Sequence, residues 1–142
     1  MFETIIIKSV AYASKMLGIN KIDVEFVSSN FIGGKTITSM YLPDHNLILF
    51  NQDWLTIAKL EDVILTAFHE TRHAYQKAQI DGVPNLISNE SQNTIKIWKT
   101  EFEKYYRPND EIVNEPKYVE QEIEKDALRF AFDLISVISS EI

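Results

Sequence analysis

From Leu60 to Ala78, the residues Leu60, Val63, Ile64, Ala67, Phe68, Thr71, Ala74, Tyr75 and Ala78 recur at intervals of three and four. That spacing lines one face of a helix. Residues 60 to 79 are therefore expected to form a packed helix, stopped by "DGVP". A stripe this long cannot be hidden by its own helix, so the rest of the chain must assemble around it. Polar residues beside the stripe then stand at half-buried edges, and among them are His69, Glu70 and His73 of "TAFHETRHAYQ".

The flanking segments can be read in the same way. Residues 3 to 17 predict a helix that buries Ile6, Ala13, Met16 and Leu17 and ends at Gly18. "KIDVEFV" alternates Ile22, Val24 and Phe26 as a half-buried strand does, and "TITSMYL" and "LILFN" read as second and third strands. "NFIGGK" and "PDHN" are the turns between them, and Asp53 is placed to cap a short helix. A helical stretch around 89 to 106 sets Ile95, Trp98, Phe102 and Tyr105 on one side, and "RPNDEIVNEPK" breaks it. The last helix, about 117 to 140, carries Val119, Ile123, Ala127, Phe130, Leu134, Val137 and Ile138 as its buried stripe. The expected fold class is α+β: an N-terminal helix, a small three-stranded antiparallel sheet, then the long helix and C-terminal helices. No repeat or linker divides the chain, so residues 1 to 142 read as one domain.

Composition narrows the chemistry. The chain has no cysteine, so any metal site must be built from His, Asp or Glu. A net charge of -7 without a Lys/Arg-rich stretch speaks against direct nucleic-acid binding. No window approaches the roughly 18 to 20 apolar residues of a membrane span. The N-terminus has Glu3 and no cleavage pattern, so neither a signal peptide nor a membrane partner is expected, and the expected location is cytoplasmic.

On a helix, positions i and i+4 lie about 40° apart and one turn up, so His69 and His73 can face one ion. Glu70, the residue after His69 and so about 100° round the helix from it, is poorly placed as a third ligand but well placed as general base toward a metal-activated water, which is the mechanical content of H-E-x-x-H. Zinc in such a site takes three protein ligands. His45 lies in the "PDHN" turn and is read as a turn residue. Glu124 follows Ile123 of a buried stripe just as His69 follows Phe68, Glu120 lies one turn earlier, and Glu122 and Asp126 project elsewhere.

"HETRH" followed by "EKDALRFA" resembles the ImmA/IrrE type of minimal gluzincin metallopeptidase, in which a glutamate of an E-x-x-A-x-x-F-A helix completes the site. Glu124, Ala127, Phe130 and Ala131 fill that pattern here. "MYLPDHNLILFN" also resembles the sheet that leads into the family's active-site helix. The resemblance implies one Zn2+ held by His69, His73 and Glu124, with Glu70 as general base. Two positions depart from it. Arg72 stands where a small residue usually precedes the second histidine, and Leu128 stands where related enzymes carry an Asp that orients a histidine. A partner for the histidines would then come from elsewhere, such as Glu120 or a backbone carbonyl.

The implied activity is zinc-dependent hydrolysis of a peptide bond in a protein or peptide substrate, with a repressor or other regulator as the target the family suggests. Tyr118, ahead of Glu124, is the expected catalytic donor to the oxyanion, with Arg72 and Arg129 as other candidates. The strand "LILF" could hold an extended peptide by edge addition. The same residues would also suit a catalytically silent zinc-binding interaction protein, or a zinc hydrolase of a non-peptide substrate.

Overall fold

The computed structural model describes residues 2 to 105 and 120 to 141. Within them the chain is α+β. Helix α1 (Glu3–Leu17) leads to strand β1 (Asp23–Val27), helix α2 (Ser29–Ile32), strands β2 (Ser39–Leu42) and β3 (Leu47–Asn51), and helix α3 (Gln52–Leu55). The long helix α4 (Leu60–Ile80) follows, then α5 (Gln92–Glu103) and α6 (Glu122–Glu141). Among the described residues no helix is long and apolar enough to cross a membrane.

The sheet departs from the antiparallel expectation. Its order is β1-β3-β2, with β1 parallel to β3 and β2 antiparallel to β3. The "PDHN" turn makes a β2-β3 hairpin. The segment from 28 to 38, however, carries α2 and passes over the end of β3, so β2 lands on the far side of β3 from β1. "LILF" is consequently the central strand and not an edge. Its run of buried Ile48, Leu49 and Phe50 is what a strand covered on both faces requires.

Asn51, at the end of β3 and fully buried, holds this crossover. Its Nδ2 donates to the Ile37 carbonyl and to Ser29 Oγ, each at 3.0 Å. Its Oδ1 accepts the Asp53 amide at 2.9 Å and caps α3. The expected cap, Asp53, serves another purpose: its carboxylate accepts the Ser29 amide at 3.0 Å.

Helix α4 is the axis of the molecule. Val63 and Ala67 pack toward the sheet core with Ile6, Val10, Ile48 and Phe50. Phe68 joins Ala13 of α1 to Ala131 and Leu134 of α6, and Tyr75 packs with Leu17, Trp98 and Ile123. Among the described residues the expected stripe members Met16, Leu60 and Val137 are exposed, while Val10 takes a core place in α1, and the expected Val119 lies outside the described residues. Gly18 ends α1 as expected. Its φ of 78° is left-handed, and a Cβ there would come within 2.9 Å of the Asn85 carbonyl, so only glycine fits.

Replacing Asn51 by Ala strands the Ile37 carbonyl and the α3 amides. The expected loss is about 2 to 3 kcal/mol, read as a lower denaturation midpoint at unchanged slope.

Candidate metal centre

The polar side of α4 is buried to an unusual degree for such residues. Glu70, Thr71, His73, Gln76 and Gln79 all lie inside the molecule, and buried polar groups cost free energy unless paired. His69 and His73 stand one helical turn apart with ring centroids 4.9 Å apart and ring planes nearly perpendicular, at 84°. Both Nε2 atoms point at the same side chain of α6.

That side chain is Glu124, which is 0% exposed. Its Oε1 lies 2.8 Å from His69 Nε2 and its Oε2 lies 3.1 Å from His73 Nε2. The Tyr105 hydroxyl donates to Oε2 at 2.6 Å. The first turn of α6 is pinned by α5, since the Glu101 carboxylate accepts the amides of Glu122 and Ile123, each at 2.8 Å. A carboxylate at a helix N-terminus is favourably placed both for charge and for the unpaired amides.

One ligand atom from each of His69, His73 and Glu124 falls within 4.8 Å of the others, close enough for the three to hold a metal ion. Two imidazoles and a carboxylate are a donor set that suits a divalent transition ion. Burial by itself would disfavour charge on His73, but the Glu124 carboxylate beside it, with Glu70 and Gln76, raises its pKa from 6.5 to about 9. Burial likewise opposes charge on Glu124, yet the two imidazoles hold it well below the usual carboxylate range. An ionised carboxylate only accepts, so both Nε2 atoms carry a proton toward it.

Glu70 faces a cleft that it shares with His73, Ser39, Tyr41, Phe102 and Tyr105. The Ser39 hydroxyl of β2 donates to Glu70 Oε2 at 2.6 Å, which steadies the side chain expected as general base. Of the other candidates, His45, Glu120 and Arg129 are exposed and stand apart from this cluster. Tyr118 lies outside the described residues.

Arg72 does not face the cleft. Its Nε and Nη2 make a two-point contact with Asp126 at 2.8 and 3.1 Å, and its guanidinium lies over the rings of Tyr75 and Phe130, 4.2 and 5.1 Å from their centroids. Asp126 thus points inward to α4, contrary to the sequence expectation. A salt bridge on the flank of the α4-α6 contact needs no place in the apolar stripe. Tyr105, Ser39, Gln76 and Asp126 are the neighbours that sequence reasoning missed as site residues. Only Gln76 carried a local signal, three residues after His73 on the same helical face.

The chain matches no protein-family model, no curated protein and no solved structure.

The pH dependence of the metal-free protein follows from these shifts. His73 has a folded pKa raised above 6.5, so its contribution is complete below pH 6.5 and is lost as pH rises through about 9. Glu124 is depressed below 4.5, so its contribution is present above pH 4.5 and is lost on acidification. The melting temperature of the metal-free chain is therefore expected to fall between pH 6.5 and 9. Glu124→Gln is expected to flatten that slope, as scanning fluorimetry across a pH series would show.

Proposed function

We propose that the chain is a zinc-dependent metallopeptidase that hydrolyses a peptide bond in a protein or peptide substrate. His69, His73 and Glu124 hold the ion, and Glu70 is the general base. The observation that carries this reading is the buried Glu124 carboxylate set against two Nε2 atoms, with Glu70 on the same helix as the imidazoles and open to the adjoining cleft. Zinc is the ion of choice because the donors are nitrogen and oxygen, three in number, and leave a position for water or substrate. When bound, it would supply a Lewis acid that polarises the scissile carbonyl and makes water acidic near neutral pH.

The chain's own residues account for the remaining chemistry. Glu70 binds the Ser39 hydroxyl through Oε2, which leaves Oε1 to take the proton of the attacking water and to return it to the departing amine. A binding protein that only stores metal has no use for such a base beside its ligands, which favours the enzyme over the silent reading. Among the described residues Tyr105 is a phenol beside the ligands, and we assign it, alongside the expected Tyr118, as donor to the developing oxyanion, its one O–H turning there from Glu124 Oε2. Strand β2 stands at an edge of the sheet order and lines the cleft with Ser39, Met40 and Tyr41. A substrate segment lying extended along it would bring its carbonyl toward Glu70.

Two measurements test the reading. Titrating zinc into the metal-free chain at pH 7, in buffers of different ionisation enthalpy, is expected to show one ion bound. Proton release is expected to accompany binding, because the Nε2 atoms that face Glu124 must give up their protons to hold the ion. Against a diverse peptide library read by mass spectrometry, Glu70→Gln is expected to keep its zinc and lose roughly 10²- to 10⁴-fold in rate. Glu124→Ala is expected to hold zinc weakly. A folded wild-type chain that takes up no zinc at saturation sinks the proposal, and so does a Glu70→Gln variant as active as wild type.

A further inference from the structure

The buried amide of Gln76 has three partners. Its Nε2 lies 2.9 Å from the Ile123 carbonyl and 2.8 Å from Asp126 Oδ2, and its Oε1 lies 2.8 Å from His73 Nδ1. A backbone carbonyl and a carboxylate both only accept, so the NH2 group must face them. The amide cannot be turned the other way, and its oxygen is left pointing at the imidazole. An acceptor at Nδ1 requires the ring proton there. A metal-bound imidazole is neutral with one N–H, and a proton held on Nδ1 by the amide oxygen leaves the Nε2 lone pair for the ion.

We infer that Gln76 is a positioning residue that fixes His73 as the Nδ1–H tautomer and so presents Nε2 to the metal, with Asp126 and Arg72 as its outer supports. This rests on the metal reading above. Asp126 fixes the amide and is itself clamped by the two-point Arg72 contact, whose guanidinium is held over Tyr75 and Phe130. A planar fork stacked on rings has little freedom to rotate, so orientation passes inward from Arg72 to the ligand. Ligand histidines commonly donate their second N–H to a carboxylate or a carbonyl. Here a neutral amide stands between the carboxylate and the ring. Glu124 and Glu70 already act on His73, and the amide orients the ring without bringing a third negative charge against it. Arg72, which has no counterpart in the resembled pattern, thereby gains a task three contacts away from the ligand His73.

The test uses the full chain, labelled with ¹⁵N in its histidines and loaded with zinc. In the wild type the His73 Nδ1 proton is expected as a slowly exchanging imino signal. Gln76→Met keeps the length of the side chain and removes the acceptor. It is expected to lose that signal and to bind zinc about 10- to 100-fold more weakly in competition with a chelator. Arg72→Met, which retains apolar contact with the two rings, is expected to shift both readouts in the same direction by a smaller amount. A folded Gln76→Met with wild-type affinity and an unchanged imino signal overturns the inference. If Gln76→Met does not fold, the same two readouts on Arg72→Met decide it. A wild-type chain that binds no zinc overturns the metal reading and this inference together, whereas zinc uptake with no effect of either variant overturns this inference alone.

Discussion

Glu124 is a carboxylate with no exposed surface, and it is kept ionised by two imidazoles from another helix. Removing such a group from water costs several kcal/mol, and it is tolerated only where opposite charge and hydrogen bonds replace the lost solvent. The two imidazoles, the Tyr105 phenol and the Glu101-capped helix start supply that replacement. Helix α6 cannot slide or turn against α4 without stranding this charge. The apolar packing of Phe68, Ala131 and Leu134 makes the two helices adhere, and the Glu124 contact sets their register.

The same requirement explains why the polar side of α4 is so fully partnered. Glu70 is tied to β2 through Ser39, and Gln76 and Arg72 are tied to α6 through Asp126. Gln79 and Tyr75 are tied to the segment after the helix through the Ser88 carbonyl and Glu90. Each tie satisfies a buried donor or acceptor, and each also fixes α4 relative to one neighbour. The arrangement is a rigid rod carrying two imidazoles and a carboxylate, braced from three directions. Rigidity of this kind is what a site needs if its groups are to be oriented before an ion or substrate arrives.

Much of this was legible from residue spacing. The i, i+3, i+4 stripe located α4, and the one-turn separation of His69 and His73 put both rings on one edge. The position of Glu124 beside Ile123 repeated that of His69 beside Phe68. Gly18 marked the end of α1 because glycine takes the left-handed φ of a helix C-terminus without steric cost. The failures have a common origin. An antiparallel sheet was the expectation, yet α2 and the Asn51 anchor send β2 across β3 and leave β1 parallel to it. Asp126 looked outward because its helical position is off the apolar stripe, and its partner Arg72 is remote in sequence.

What the sequence determined by itself is therefore whatever depends on neighbours within one element: the amphipathic face of α4, the spacing of its histidines, the stop at Gly18. Periodicity is a local property, set by backbone geometry that every helix or strand shares. Tertiary structure alone decided the strand order, the inward turn of Asp126, and the meeting of Tyr105 and Ser39 with the two carboxylates. Those depend on contacts between residues distant along the chain, where burial leaves each polar group to find its partner in three dimensions.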